Sequence, residues 1–508
     1  MPGSLPRTGT VGVIDPGSHF MQSWNTRFDA LEIDHLRSPA FAHPVTFEPQ
    51  ALVSFAVREG RTSELIDADR AVSAERASGA SISRLVRPRG AAAATLKEGT
   101  WLVTTDLSPQ AALLKHLPSS ALFRDFCSSL EAKLPHRWFS GSATGVCKDS
   151  STGKFRVHYR ATTDQRERKV VARAVILATG PVGKWIVPAP FEPHLTSPRV
   201  LHTEELLGAG TLGDEVARRC PGESARVLVI GGGITAAQAA LAAFRAGHQV
   251  TLRSRRPLQT RAFDIASEWL DIRRGDQLRY DFLSLPVKKR REACRAAASG
   301  GSVPANYMDE LFRLAQSSTA LRLEVDDKID HSEVCVEGEH IVVNGNAFAM
   351  VILGTGVVAA PSESPIYRTV QELFNAPTVD GLPHVNRSLR WVPDEDLFVL
   401  GANAALELGP GGGNLMGAMR GARVVSNELH SLMWKRSDGH QSWCGSKEGA
   451  ARAVFANKYA GLLDGSEPEI DVLVRRLRLS PKAETGLRKV CMQVEQQWKS
   501  ARASRCVV

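Results

Sequence analysis

Apolar and polar positions alternate along the chain in ways that separate strands from helices. Val227 to Ile230 form a short continuous apolar run, the pattern of a parallel strand buried on both faces. Ala236 to Ala246 follow as an Ala- and Leu-rich helix that Gly247 stops, and His248 to Leu252 return as a second strand. Two further runs nearly repeat each other: Ala174-Val-Ile-Leu-Ala-Thr-Gly180 and Met350-Val-Ile-Leu-Gly-Thr-Gly356. Each predicts a buried strand ending in a Thr-Gly turn. Thr10 to Asp15 and Asp396 to Ala402 read as strands, the first ending in a carboxylate and the second running into Gly401. Pro118 to Leu130 predict a helix capped by Ser119 or Ser120, with Leu122, Phe126 and Leu130 on one face. Short strands follow at Phe155 to Tyr159 and Val170-Val171. Arg322 to Val325, Val334 to Val336 and His340 to Val343 read as a small antiparallel meander.

The strand, helix and strand around residue 230 enclose a glycine pattern. Gly231, Gly233 and Ala236 fall at the spacing G-x-G-x-x-G/A. The first glycine permits a tight turn, the second lets a diphosphate approach the backbone, and the third small residue lets helix and strand pack closely. An NAD-binding unit places Asp or Glu about 20 residues further on, at the ribose 2′-hydroxyl. Here that position is Ser254, flanked by Arg253, Arg255 and Arg256. Guanidinium forks suit a phosphate dianion, so the unit reads as NADP(H)-binding, with Ser254, Arg255 and Arg256 at the 2′-phosphate. A solvated basic turn is the alternative for the same residues.

With 508 residues the chain has room for two or three domains. Its 43% hydrophobic and 23% charged content is ordinary for a globular protein. No apolar run reaches the roughly 18 residues of a membrane span, and the start lacks a secretory apolar segment. Eight scattered cysteines, with neither a C-x-x-C pair nor metal-ligand spacing, point to a reducing, cytoplasmic setting without a metal. The net charge of +9 is spread through Arg-rich segments without a nucleic-acid module, so anionic cofactors are the expected partners. Lys288-Lys-Arg-Arg291 reads as a solvated helix face.

Two Thr-Gly turns bracketing one glycine fingerprint suggest an α/β chain with two nested dinucleotide-binding, Rossmann-like domains, the NADP domain inserted in the other. In this the sequence resembles the flavoprotein monooxygenases, nearest their lysine/ornithine N-hydroxylating branch. The resemblance implies FAD as well as NADP(H), with Thr179, Gly180, Thr355 and Gly356 at the exits from one nucleotide domain towards the other. Asp15 sits where a dinucleotide unit's second strand directs an acid at a ribose. Gly409 to Gly417 form a loop opening a helix over Ala418 to Leu432, whose N-terminal N–H groups suit an electron-rich flavin edge. Gly401 and Gly411 to Leu415, Asn414 among them, are thereby the flavin-edge candidates. Three departures accompany the likeness. No glycine fingerprint precedes Asp15, His202 alone survives of the F-x-G-x-x-x-H-x-x-x-W/Y signature with Leu206 in its aromatic place, and Ala402 replaces an acid.

The expected domains are therefore 1–203 (with a variable insertion over 58–99), 204–349 for NADP(H), 350–434 closing the FAD-type domain, and a basic helical tail over 435–508. The implied activity is NADPH-dependent oxygenation of a small amine or sulfide by O2. No catalytic residue is assigned, because the flavin would perform the hard step. A flavin reductase or dehydrogenase, or a non-catalytic nucleotide-binding protein, remains open. The missing first strand leads to a further expectation. The chain is truncated at its amino terminus, or descends from such a truncation, lacks about 30 residues of a strand–glycine–helix unit, and holds FAD weakly.

Overall fold

The computed structural model describes residues 11–46, 48–67, 116–180, 183–206, 210–220, 224–266, 269–270, 272–298, 300–325 and 328–437. Most of the expected insertion over 58–99 and all but the first residues of the tail from 435 lie outside them. The chain divides into two compact units, Met1–Glu428 and Leu429–Val508. Of the second, the described residues are the end of one helix.

The first unit opens with β1 (Val11–Asp15), α1 (Gln22–Ala30), α2 (Ala51–Arg58), β2 (Leu65–Asp67) and β3 (His116–Pro118). Next comes α3 (Ser120–Glu131), where Ser119 is the cap and its hydroxyl accepts from the Leu122 N–H. Leu122 and Phe126 are buried in a cluster with Leu36, Leu52 and Phe55, and Leu130 packs against it, so the expected apolar stripe is real. β4 (His136–Lys148), β5 (Phe155–Ala161) and β6 (Glu167–Ala172) form an antiparallel meander, and β1 joins its edge parallel to β4.

β7 (Val175–Leu177), β8 (Gly183–Trp185) and β9 (Val200–His202) lead through α4 (Leu212–Arg219) to β10 (Arg226–Ile230), α5 (Ile234–Arg245) and β11 (Gln249–Ser254). Helices α6 (Ile272–Ser284), α7 (Val287–Ala298) and α8 (Ala305–Ser317) then cross to β12 (Leu321–Val325). The hairpins of β13 (Val334–Glu337), β14 (His340–Val343) and β15 (Asn346–Phe348) precede β16 (Met350–Leu353) and β17 (Val357–Ala359). Then come α9 (Pro365–Phe374), β18 (Thr378–Val379), β19 (Leu382–Pro383), β20 (Leu397–Val399), α10 (Ala405–Leu408) and α11 (Leu415–Ser437).

One parallel sheet in the order β12-β11-β10-β16-β9 dominates the middle of the chain. Its central strands are buried on both faces. Val227, Val229, Met350 and Ile352 face a cluster with Ala236, Ala239, Ala240 and Ala243 of α5. Leu228, Ile230, Val351 and Leu353 face another with Phe191, Ile341 and Phe348. Each such side chain contributes about 1.5–3 kcal/mol on burial.

Two expectations need correction. Residues 321–325 belong to the parallel sheet, aligned on β11 through Leu252 opposite Leu323, because α8 supplies the crossover that parallel strands require. The meander consists of 334–337, 340–343 and 346–348 instead. The parallel sheet itself reaches beyond residues 204–349 on both sides. β9 and β16 pair with each other and with β10, so residues 200–202 and 350–353 are part of its sheet. The two near-identical Thr-Gly strands thus have different homes. β16 sits in the inserted sheet, whereas β7 pairs in parallel with β20, Leu397 opposite Val175, as nesting requires. The flavin-type part is also less regular than a doubly wound sheet. Among the described residues, β1 stands in one sheet and β7 with β20 in another.

Candidate functional site

The glycine turn after β10 is crowded enough to explain each of its small residues. Gly231 has φ +149°, and a Cβ there would lie 2.3 Å from the Gly354 carbonyl oxygen and 2.8 Å from the Ala236 Cβ. A Cβ on Gly354 would lie 2.7 Å from the Ala236 Cα. The turn at Gly354 and the helix α5 are therefore in backbone contact, which only Gly and Ala allow. Gly233 heads α5. Against it rests Gly301, where a Cβ would come within 2.7 Å of both the nitrogen and the Cα of Gly233. Such a bare, close-packed turn at a helix start could hold a diphosphate.

At the end of β11 the three arginines divide. Arg253 is buried and donates twice to Glu324 across the sheet. Arg255, 60% exposed, pairs with Asp330 at 2.8 Å. Arg256 is exposed and has no partner among the described residues. The Ser254 hydroxyl donates to the Arg256 carbonyl at 2.7 Å, closing the turn that carries both arginines. Of the residues expected at a 2′-phosphate, Arg256 is the uncommitted cation.

The two covalent links between the nested parts run side by side as the antiparallel ribbon β8–β17. Here Thr355 donates to the Ile186 carbonyl, and the Gly356 carbonyl accepts from the Ile186 N–H at 2.9 Å. His202 is fully buried, stacks on Trp185 with ring centroids 4.9 Å apart, and lies 3.4 Å from the Thr355 hydroxyl. Burial pushes its pKa down to about 4. The surviving signature histidine is thus a neutral packing element of the joint.

The first Thr-Gly turn meets residues that sequence reading passed over. Asn403 is fully buried, and its amide nitrogen donates to the Tyr367 hydroxyl at 2.9 Å and the Gly180 carbonyl at 3.1 Å. The Tyr367 hydroxyl in turn lies 3.1 Å from the Thr179 hydroxyl, and burial pushes that phenol up. The Asn403 side-chain oxygen has no hydrogen-bond partner among the described residues. Asn403 follows Gly401 by two positions, which is the one signal that could have marked it. Gly401 itself adopts φ +70°. Asp15 accepts from the Gly17 N–H at 2.7 Å, so one carboxylate oxygen closes the turn after β1. No hydrogen bond joins Asp15 to the other candidates.

The strongest convergence lies elsewhere. Gly411 (φ +81°) leaves no space for a Cβ, which would lie 2.8 Å from the Ile265 side chain. Asn414 caps α11 by accepting from the Gly417 N–H at 3.1 Å, and its amide donates to both Asp264 oxygens at 3.3 Å. Leu415 packs on the Leu36 cluster, while Met416 packs on Phe263 and Ile265. From the Leu36–Pro44 loop, Arg37 donates to the carbonyls of Arg261 at 3.0 Å, Ala262 at 3.1 Å and Ser302 at 3.3 Å, to the Ser302 hydroxyl at 2.7 Å, and to the Phe263 carbonyl. The segment after the second NADP-type strand is therefore held between the amino-terminal loop and the loop that opens α11. Nearby, burial lowers the Arg420 pKa to about 10, with the neighbouring Arg279 adding to the effect.

Residues 110–274 match the family described as pyridine nucleotide-disulphide oxidoreductase. No curated protein sequence matches the chain. Among solved structures, the FAD-bound cadaverine monooxygenase DfoA of Erwinia amylovora is 16% identical, with a TM-score of 0.56 over 82% of this chain and 87% of that one. Reduced ornithine hydroxylase PvdA of Pseudomonas aeruginosa is 14% identical, with a TM-score of 0.55 over 82% and 90%. Ornithine N-hydroxylase KtzI of Kutzneria sp. 744, with reduced FAD, NADP+ and L-ornithine, is 16% identical, with a TM-score of 0.53 over 83% and 100%. The fold is thus the two-domain α/β architecture of these flavoproteins.

Proposed function

We propose that this chain, which shares the fold of flavoprotein N-hydroxylases, is an NADPH-dependent flavoprotein oxidoreductase that oxygenates a small amine or sulfide. One observation carries the reading: Asp264 and Ile265 meet the Gly411–Asn414 loop, bringing the nucleotide sheet's outlet against the head of α11. On this reading a nicotinamide and a flavin ring would meet there. Gly231, Gly233 and Arg256 fit an NADP diphosphate and 2′-phosphate. Gly401, the Gly411–Leu415 loop and the unpaired Asn403 oxygen fit a flavin edge. The described residues hold one strand–glycine–helix cradle, after β10, so the flavin diphosphate has no equivalent there. A bound flavin would supply hydride acceptance and oxygen activation. The protein's part is to orient the two rings and to exclude water, and Leu117, Phe263, Ile265, Trp269 and Met416 wall the meeting point with apolar groups.

Thiol chemistry fits less well despite the name of the matching family. Cys127, Cys147, Cys220, Cys294 and Cys335 are free, and burial pushes the Cys127 thiol up to about 12 and Cys294 to about 11, which disfavours thiolates. The amine class is supported by DfoA and PvdA, which are named for cadaverine and ornithine. A second reading is a nucleotide-binding protein without turnover, favoured by the single strand–glycine–helix cradle among the described residues. The test is to supply FAD, NADPH and O2 with diamines, ornithine-like amino acids and thioethers, and to follow NADPH loss together with hydroxylated product. Product coupled to NADPH use is expected. NADPH use yielding only peroxide would sink oxygen transfer, and no NADPH use would leave the non-catalytic reading.

A further inference from the structure

We propose that Arg261 is the counter-charge for the diphosphate of the bound dinucleotide, an assignment that rests on the NADP(H) reading above. Arg261 is 4% exposed, and its Nε and Nη1 have no hydrogen-bond partner. A guanidinium stays protonated even when buried. Burying a guanidinium with two of its nitrogens unpartnered is unfavourable, and an anion entering there would satisfy them.

The position of Arg261 identifies the anion. Its N–H donates to the Val303 carbonyl at 3.0 Å, and Thr260 forms a parallel bridge to Val303. Two residues before Val303 is Gly301, which rests on Gly233 without room for a side chain. Arg261 therefore lies beside the short segment 301–303, whose other end rests on the residue heading α5. A dinucleotide places its two linked phosphates at that helix start. Asp264, three residues along, is an exposed carboxylate already held by Asn414. Arg37 fixes the backbone of Arg261, Ala262, Phe263 and Ser302 together, so the cation is held in place before the ligand arrives. Arg261 thus differs in role from Arg256, because both NADP(H) and NAD(H) carry the diphosphate and only the former carries the 2′-phosphate.

The experiment uses the full chain with Arg261→Met, Arg261→Lys and Arg256→Ala. Thermal unfolding is followed without ligand and with inorganic pyrophosphate, and NADP+ and NAD+ are titrated by calorimetry. Arg261→Met should raise the Tm of the ligand-free protein, because it removes an unpaired buried charge at similar volume. It should also weaken NADP+ and NAD+ alike by roughly 10- to 100-fold, the loss expected for hydrogen bonds to a charged group. Pyrophosphate should raise the Tm of the wild type and leave that of Arg261→Met unchanged, while Arg261→Lys recovers part of the affinity. Arg256→Ala should weaken NADP+ only. Wild-type affinity for both dinucleotides in Arg261→Met, or a lowered Tm with unchanged affinity, would overturn the assignment while leaving the NADP(H) reading intact. Failure of the wild type to bind either dinucleotide would overturn both.

Discussion

The two parts that share a nucleotide-domain plan differ in how well their strands are enclosed. In the inserted part, β10 and β16 have strand neighbours on both edges and apolar clusters on both faces. In the flavin-type part, β1 pairs among the described residues with β4 alone, Val11 is 59% exposed, and Ile176 of β7 is 42% exposed. Similar apolar runs therefore occupy different environments. Ile176 and Ile352 occupy equivalent places in the two near-repeats, yet the latter is fully buried. A run of Val, Ile and Leu specifies a strand, but its neighbours decide how much that strand contributes to stability.

The sharpest way to break this contrast is Gly354→Val, which drives a side chain into the Ala236 backbone 2.7 Å away. Overpacking at a contact that α5 cannot yield should cost about 3 kcal/mol or more, and urea unfolding measures it. The matching change in the other part, Ile176→Thr, should cost less than about 1 kcal/mol because the side chain is already half in water. Equal losses would erase the distinction between the two parts.

The joint between them should respond to pH. His202 has its folded pKa lowered from 6.5 to about 4. Above pH 6.5 it is neutral in both states. Between 6.5 and 4 only the unfolded chain takes up its proton, so stability falls as the pH drops through that window, by up to about 3 kcal/mol. His202→Asn, which keeps an acceptor for the Glu204 N–H, should flatten this part of the stability–pH curve. An unchanged slope would mean that His202 is solvated.

A smaller effect concerns the outlet of the inserted sheet. Arg256→Ala should weaken NADPH by about 1.5–3 kcal/mol, with little change for NADH. Arg255→Ala should do less, since that guanidinium is shared with Asp330. Binding titrations of the two variants rank them, and the reverse order would move the 2′-phosphate contact to Arg255.

What could be read in the sequence follows physical range. The turn at Gly231 was legible because its small residues recur at a fixed spacing within six positions, although Gly354 and Gly301, which crowd it, lie far along the chain. β12 was misplaced because its partly exposed, edge-strand pattern is also that of a meander. Which sheet each of the two near-identical Thr-Gly strands joins was not legible, because the runs say nothing of their partners. Arg37 gripping residues 261–263 and 302, and Asn403 tying Gly180 to Tyr367, depend on contacts between residues far apart in the chain.

Calorimetric titration of the purified chain with NADP+ and with NAD+, at one salt concentration, tests the central claim most directly. One NADP+ per chain, bound at least tenfold more tightly than NAD+, is the expected result. Equal affinities, or no saturable binding of NADP+, would contradict it.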